Sequence, residues 1–121
     1  MRAERAKGAR GELEVVARIR EAGWPHARRT HDGRRQAGRG DVAGGPEATH
    51  IEIKRQERLN VPAALAQVRA DADPLDLPVL VHRPSRAEWM ATLPLADLLE
   101  LLALRTVVEM HCSVLDVDGA L

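Results

Sequence analysis

The chain has 121 residues and a mass of 13.3 kDa, which is the size of one ordinary domain, so we expect a single domain over residues 1–121. Hydrophobic residues make up 45% and charged residues 30%, a composition that excludes an intrinsically disordered chain. The formal net charge is zero, yet residues 1–61 carry 14 Lys and Arg against 9 Asp and Glu, whereas residues 62–121 carry 4 against 9. This asymmetry of +5 and −5 favours a polyanion-binding surface in the first half.

Several classes of protein and site are excluded by what the sequence lacks. No apolar run approaches the ~20 residues of a membrane span, and the start has no apolar secretion signal, so we expect a cytoplasmic protein. A single cysteine, Cys112, excludes internal disulfides and a cysteine-based zinc cluster, so any metal must be held by oxygen or imidazole. With two Trp and no Phe or Tyr, stacking of bases on several aromatic rings is excluded as well.

The first predicted element is a helix over residues 10–22 that ends at Gly23. At ~100° per residue, the apolar residues 13, 15, 16, 17 and 19 share one broad arc of this helix. Glu12 falls inside that arc, whereas Glu14 lies on the other side. A carboxylate directed at a core costs several kcal/mol unless it is paired or binds a cation, so Glu12 is a candidate site residue. Its structural alternative is an ion pair, for which Arg20 is the expected partner.

The remaining pattern predicts alternating strands and helices. Strands are expected over residues 25–30, 40–44, 49–55, 78–82 and 88–93, and a glycine- and arginine-rich loop over residues 31–40. Asn60 and Pro62 predict the start of a helix over residues 63–72, and a last apolar helix is expected over residues 95–105. This order predicts an α/β fold with a central mixed β-sheet flanked by helices.

Residues 41–54 carry the predicted chemistry. The two-residue period of a strand places Glu52 and Lys54 on one face and Ile53 on the other. If residues 45–48 form a four-residue turn, counting back from Glu52 places Asp41 directly opposite it, with Cβ atoms about 5 Å apart. Two carboxylates at this separation jointly hold a cation, and the ammonium of Lys54 supplies a compact charge beside it. These residues therefore predict a magnesium site.

The same residues resemble a known nuclease signature. Gly40-Asp41 followed by Ile51-Glu52-Ile53-Lys54 resembles the PD-(D/E)xK motif, with Gly40 where that superfamily often has Pro. The opening Lys7-Gly8-Ala9-Arg10-Gly11-Glu12, followed by an apolar helix, Gly23 and Trp24, is similar to that of archaeal-type Holliday junction resolvases. The resemblance covers about residues 7–73.

The resemblance implies a restriction-endonuclease-like fold and a homodimeric, Mg²⁺-dependent endonuclease, with Mn²⁺ as a substitute. Such an enzyme hydrolyses phosphodiester bonds at four-way DNA junctions in recombination and repair. It also implies that Asp41 and Glu52, with the backbone carbonyl of Ile53, bind the metal. The residue matching Lys54 assists the attacking water, and the residue matching Glu12 completes the site as a further metal ligand.

Basic residues around this site are expected to contact DNA phosphates, which fixes the position of the DNA without reading its sequence. They are Arg28, Arg29, Arg34, Arg35, Arg39 and Arg55. The last helix has more apolar surface than one core face absorbs, which predicts a dimer surface. The apolar residues concerned are Leu98, Leu99, Leu101, Leu102, Leu104, Val107 and Val108.

Three alternative functions remain open at this point. The chain could be a nuclease of the same fold that acts on flaps, nicks or unbranched duplex DNA. It could be a catalytically silent DNA-binding module that kept the fold. It could also be a small interaction protein whose acidic second half binds a partner.

Overall fold

The computed structural model describes residues 2–30 and 40–119, with side chains described for residues 7–30 and 40–113. The elements in chain order are α1 (Arg2–Glu21), β1 (Arg28–Arg29), β2 (Val42–Ala43), β3 (Thr49–Arg55), α2 (Val61–Asp71), β4 (Leu77–Arg83), β5 (Met90–Thr92) and α3 (Leu95–Gly119). The predicted order of elements is confirmed, and so is the α/β class with a mixed sheet flanked by helices.

The main sheet has three strands in the order β3–β4–β5. β3 pairs in parallel with β4 over its whole length, from Thr49 opposite Leu77 to Arg55 opposite Arg83, and α2 forms the crossover between them. β5 joins β4 in antiparallel orientation. A parallel pair requires such a crossover, which the chain supplies between residues 55 and 77.

The prediction that β2 and β3 pair as a hairpin is wrong. In the described part of the chain, β2 pairs with β1 in a separate antiparallel ribbon, with Arg29 opposite Val42. The turn after β2 contains Gly44 and Ala48, both at positive φ, and the carbonyl of Ala48 accepts a hydrogen bond from the N–H of Leu77. The start of β3 therefore pairs with β4 through a seven-residue ladder, while the other edge of β3 receives Asp41 instead of a β2 ladder.

The helix α1 packs on the face of the sheet that carries Ile51 and Ile53. Val15 and Val16 are buried there, together with Ala27 and Val42. The buried face is narrower than the predicted apolar arc, because Leu13 is 55% exposed and Ala17 is also exposed.

The helix α2 packs against β4 on the opposite face, where Leu80 is fully buried and Val68 is buried on the helix. The predicted role of Asn60 at the start of this helix is confirmed, because it caps the helix by accepting a 3.1 Å hydrogen bond from the N–H of Ala63, although the helix begins at Val61, two residues before the predicted residue 63. Since Glu52 is paired with Leu80 in the sheet, the two share a face. Glu52 therefore lies on the α2 side of the sheet and α1 lies on the other.

The last helix, α3, extends well beyond the predicted end at residue 105. The side chains of residues 98–113 are all exposed, including that of Cys112. Among the residues that the structure describes, no helix is long and apolar enough to cross a membrane.

Glu57 joins three separate parts of the chain. Its carboxylate accepts hydrogen bonds from the N–H of Ser85 at 3.1 and 3.2 Å and from the Nζ of Lys7 at 3.0 Å. The hydrogen bonds of Ser85, and then that of Lys7, lower the pKa of Glu57 from 4.5 to about 2. The start of α1 is thereby tied to the loops that follow β3 and β4.

This contact predicts a pH-dependent loss of stability. Because the pKa of Glu57 is lower in the folded protein, its stabilisation is present above about pH 4.5 and is lost as the pH falls towards 2. Glu57→Gln should lower the urea midpoint at neutral pH, and the difference from wild type should shrink below pH 4.5. Glu47→Gln, an exposed glutamate outside this contact, is the matched control. A difference that stays constant from neutral pH down to pH 3 contradicts the prediction.

Candidate active site

Two hydrogen bonds hold Asp41 against the edge of β3 that does not face β4. The N–H of Asp41 donates to the carbonyl of Ile51 at 2.7 Å, and the Oδ2 of Asp41 accepts from the N–H of Ile53 at 2.8 Å. Asp41 therefore spans the position of Glu52, as the sequence predicts, although by side-chain contact rather than by a strand ladder. Its side chain is buried, with an exposed fraction of 4%.

Gly40 makes this close approach possible. Its φ is +62°, and a Cβ atom there would lie 2.6 Å from the carbonyl oxygen of Ile51 and 3.0 Å from the ring of His50. Proline, the residue that the resembled superfamily often has at this position, fixes φ near −65° and cannot adopt this conformation. The departure from the motif thus has a local structural reason.

Glu52 and His50 lie on one face of β3 and are both buried, with exposed fractions of 4% and 2%. The Nε2 of His50 is 3.3 Å from the Oε1 of Glu52, while its Nδ1 is buried with no hydrogen-bond partner. Asp41 and Glu52 each have at least one interaction partner. Burial of the Asp41 and Glu52 carboxylates carries an electrostatic cost that hydrogen bonds, or a cation, must offset.

The backbone of Ile53 faces the same edge as the Asp41 carboxylate. In an extended strand, the N–H and C=O of one residue point to the same side. Since the N–H of Ile53 donates to Asp41, its carbonyl is directed towards that edge and away from β4. The backbone thus adds a third oxygen atom to the edge at which Asp41 and Glu52 lie.

Glu12 lies on the inward side of α1, as its position on the helix predicts, but its partner is different from the one expected. Its Oε2 is 2.7 Å from the Nε of Arg29, whereas Arg20 donates to the carbonyl of Ala27. Arg29 lies on β1, and the next residue, Thr30, donates its N–H to the carbonyl of Asp41. Glu12 thus contacts the ribbon that carries Asp41.

The structure does not bring Glu12 together with the other carboxylates in a metal-binding group. Among the described residues, no group of three or more His, Cys, Asp and Glu side chains is placed to hold a metal ion. Of the other predicted ligands, Asp41 and the backbone of Ile53 meet at the edge of β3, and Glu52 lies on the strand between Ile51 and Ile53.

Lys54 follows on the same face of β3 as Glu52 and is half-buried. Within the described residues, no hydrogen bond or ion pair is recorded for its ammonium group. The positive charge of Lys54, two residues beyond Glu52 on the strand, is therefore not neutralised by a described residue.

The predicted phosphate-binding arginines differ in their contacts. Arg28 is exposed and donates to the carbonyl of His26 at 3.3 Å, Arg29 is paired with Glu12, and Arg55 is half-buried. Arg34, Arg35 and Arg39 lie outside the described residues. Gln67, on α2, donates to the carboxylate of Asp71 and takes no part in the site.

Glu14 has a structural role that the helical pattern did not reveal. Its Oε2 accepts from the Nη2 of Arg83 at 2.7 Å and from the Nε1 of Trp89 at 3.1 Å. The guanidinium group of Arg83 also stacks 4.9 Å from the centre of the Trp89 ring. The signal in the sequence was Trp89 itself, because a partly buried indole N–H needs an acceptor.

A cavity of about 670 Å³ lies at the other end of β3, next to Gly44, Thr49 and Asp76. Neither Asp41, Glu52 nor Lys54 lines it. The candidate site therefore lies outside this cavity.

No family model matches the chain, and neither do any of the curated proteins or the solved structures. The function proposed for this chain therefore rests on the geometry of its own residues.

The position of Gly40 gives a direct test of the site geometry. Gly40→Ala should destabilise the fold, since a non-glycine residue at this positive φ costs about 1–3 kcal/mol and the Cβ atom would also collide with the Ile51 carbonyl. Gly8→Ala is the matched control, because a Cβ at this helical position meets no atom within 4 Å and Ala favours helix. Equal urea midpoints for the two variants would contradict the geometry described.

Proposed function

We propose that this chain is a cytoplasmic, Mg²⁺-dependent endodeoxyribonuclease of the PD-(D/E)xK type with a restriction-endonuclease-like fold, acting as a homodimer on four-way DNA junctions. The observation that supports the proposal is the contact of Asp41 with both Ile51 and Ile53, which places its carboxylate on the strand edge at the level of Glu52. The spacing from Glu52 to Lys54 completes the arrangement that the motif requires.

The residues at this edge suit a hard divalent cation. The carboxylates of Asp41 and Glu52 and the carbonyl of Ile53 are all oxygen donors, which Mg²⁺ and Mn²⁺ prefer. When bound there, such an ion lowers the pKa of a coordinated water and stabilises negative charge on the phosphate. Its charge would also offset the electrostatic cost of burying the carboxylates of Asp41 and Glu52.

The remaining residues would position the substrate and the attacking water. The ammonium of Lys54 donates hydrogen bonds to the water or to the phosphate, and holds them in line with each other. Arg28 and Arg55 contact phosphates on the two sides of the cleaved bond, joined by Arg34, Arg35 and Arg39. Glu12 completes the site from α1, with its carboxylate oriented by Arg29.

One observation favours a second candidate, a catalytically silent DNA-binding module of the same fold. Glu12 is ion-paired with Arg29, and the described residues contain no cluster of three metal-binding side chains. In such a module the carboxylates would serve only to hold the β1–β2 ribbon against β3. A cleavage assay separates the two candidates.

Cleavage should require Mg²⁺ and the carboxylates of both Asp41 and Glu52. Labelled four-way, flap and linear DNA would be incubated with the wild type and with Asp41→Asn and Glu52→Gln, in Mg²⁺, in Ca²⁺ and in a chelator. We expect nicking of the four-way junction in Mg²⁺ only, and a loss of at least about 100-fold in each variant, because each removes a charged ligand. Glu47→Gln, prepared in the same way, should retain activity.

The outcomes of this assay separate the alternatives. Activity in the chelator, or in Asp41→Asn, contradicts the metal-dependent mechanism. If linear DNA is cleaved as fast as the junction, the substrate is unbranched duplex DNA. If flaps are cleaved preferentially, the substrate is flap DNA. Binding of DNA without cleavage by the wild type supports the silent module.

The two glutamates of α1 should respond differently to the same change. Glu12→Gln should abolish or greatly reduce cleavage, because it alters a carboxylate on the inward side of α1. Glu14→Gln should weaken the contacts to Arg83 and Trp89 and so lower the melting temperature, yet leave the activity per folded molecule unchanged. Thermal melts would be recorded beside the cleavage rates. Equal losses of activity per folded molecule would show that Glu12 has no special role.

A further inference from the structure

Two apolar surfaces of this chain are exposed. The first is the surface of α3, here called the α3 surface, whose large side chains are 37–66% exposed. They are Leu95, Leu98, Leu99, Leu101, Leu102, Leu104, Val107, Val108 and Met110. An exposed apolar surface of this extent on a water-soluble domain marks an interaction site.

The second surface is a groove of about 300 Å³ between α1 and the edge of the sheet, here called the α1–β5 groove. Its walls are predominantly apolar, and the charged group of Arg18 lies at its margin. The residues that matter here are Val15, Ile19 and Trp24 on one side and Val81, Trp89 and Ala91 on the other. It continues the core that α1 forms with Ile51 and Ile53.

We propose that α3 of a second copy of this chain lies in the α1–β5 groove, and that the exchange is reciprocal. The result is a twofold dimer in which each protomer covers the groove of its partner with its own last helix. This inference rests on the homodimer of the proposed function and deepens it by naming the two surfaces that meet.

The start of α3 explains why the helix reaches a partner rather than its own groove. α3 begins at Leu95, only two residues after β5 ends at Thr92. The carbonyl of Pro94 accepts the N–H groups of Asp97 and Leu98, so the helix begins at once and no slack remains in the connection. Since β5 itself forms a wall of the groove, the helix starts beside the groove and projects away. Short connections of this kind favour the exchange of an element between protomers.

The shape of α3 suits a groove that contains two indole rings. At 100° per residue, one stripe of the helix, about 80° wide, contains no polar residue. Its members are Ala96, Leu99, Ala103, Val107 and Met110. The two alanines lie seven residues apart, at nearly the same angle, where small side chains leave room for Trp24 and Trp89.

Charge favours the same arrangement. Residues 95–113 of α3 carry Asp97, Glu100 and Glu109 against Arg105, so this segment is acidic. The groove is formed partly by α1, which belongs to the basic first half of the chain, and Arg18 lies at its margin. A reciprocal exchange places the acidic segment of each chain near Arg18 of the other. Each helix of 25 residues is about 37 Å long, enough to cross the groove completely.

The first test measures mass with variants on both surfaces. Light scattering of the wild type at micromolar concentration should report about twice the 13.3 kDa chain mass. Leu99→Glu on α3 and Ala22→Glu at the groove should each give monomers, because each places a carboxylate in the shared apolar contact. Leu75→Glu is the matched control, since Leu75 is 89% exposed and lies on neither surface, and it should remain dimeric. A monomeric wild type, or a dimer unchanged by Ala22→Glu, overturns the proposal.

The second test identifies what α3 contacts. A photo-crosslinking probe would be attached to a single cysteine in the variant Ala103→Cys with Cys112→Ser, using a mixture of ¹⁴N- and ¹⁵N-labelled chains. We expect crosslinks that join the two isotopes and map to residues 15–24 or 81–91. Crosslinks from α3 to α3 overturn the groove as the docking site, and crosslinks to the groove within one isotope show that α3 covers its own groove instead.

Discussion

The structure around the candidate site depends on the way Asp41 meets the free edge of β3. Its N–H and its carboxylate bind two alternate residues of the strand, Ile51 and Ile53, and its carbonyl accepts the N–H of Thr30. One residue thereby joins β1, β2 and β3, although the two sheets share no ladder among the described residues. This contact requires a glycine at position 40, because any Cβ atom there would collide with the strand.

The contact also decides where the chemistry can take place. α1 occupies the face of Ile51 and Ile53, and α2 packs against β4 on the opposite face, so both faces of the sheet are covered. In the proposed nuclease the substrate would lie at the edge of β3, where Asp41 contacts the backbone of Ile53. Glu12 approaches from the α1 side and Glu52 from the α2 side. A nuclease site at this edge would thus combine groups from both layers.

Side-chain contacts with other elements hold the first part and the middle of α1 in place. Lys7 and Glu57 tie its first part to the loops after β3 and β4, and Glu14 ties its middle to Arg83 and Trp89. α3 has no comparable contacts, and its side chains from residue 98 to 113 are exposed. The domain therefore has a firmly attached first helix and a last helix whose apolar surface a partner can cover.

The sequence by itself determined the features that depend on neighbouring residues. The period of two fixed the face of Glu52 and Lys54 and the bounds of β3, Asn60 fixed the start of α2, and the helical period placed Glu12 inward. Tertiary structure decided the partners. β2 pairs with β1 while Asp41 contacts the edge of β3, Glu12 pairs with Arg29 rather than Arg20, and Glu14 binds Arg83 and Trp89. Periodicity and capping are local, whereas a strand edge or a charged group has several possible partners along the chain, and only the folded arrangement brings one of them within hydrogen-bonding distance.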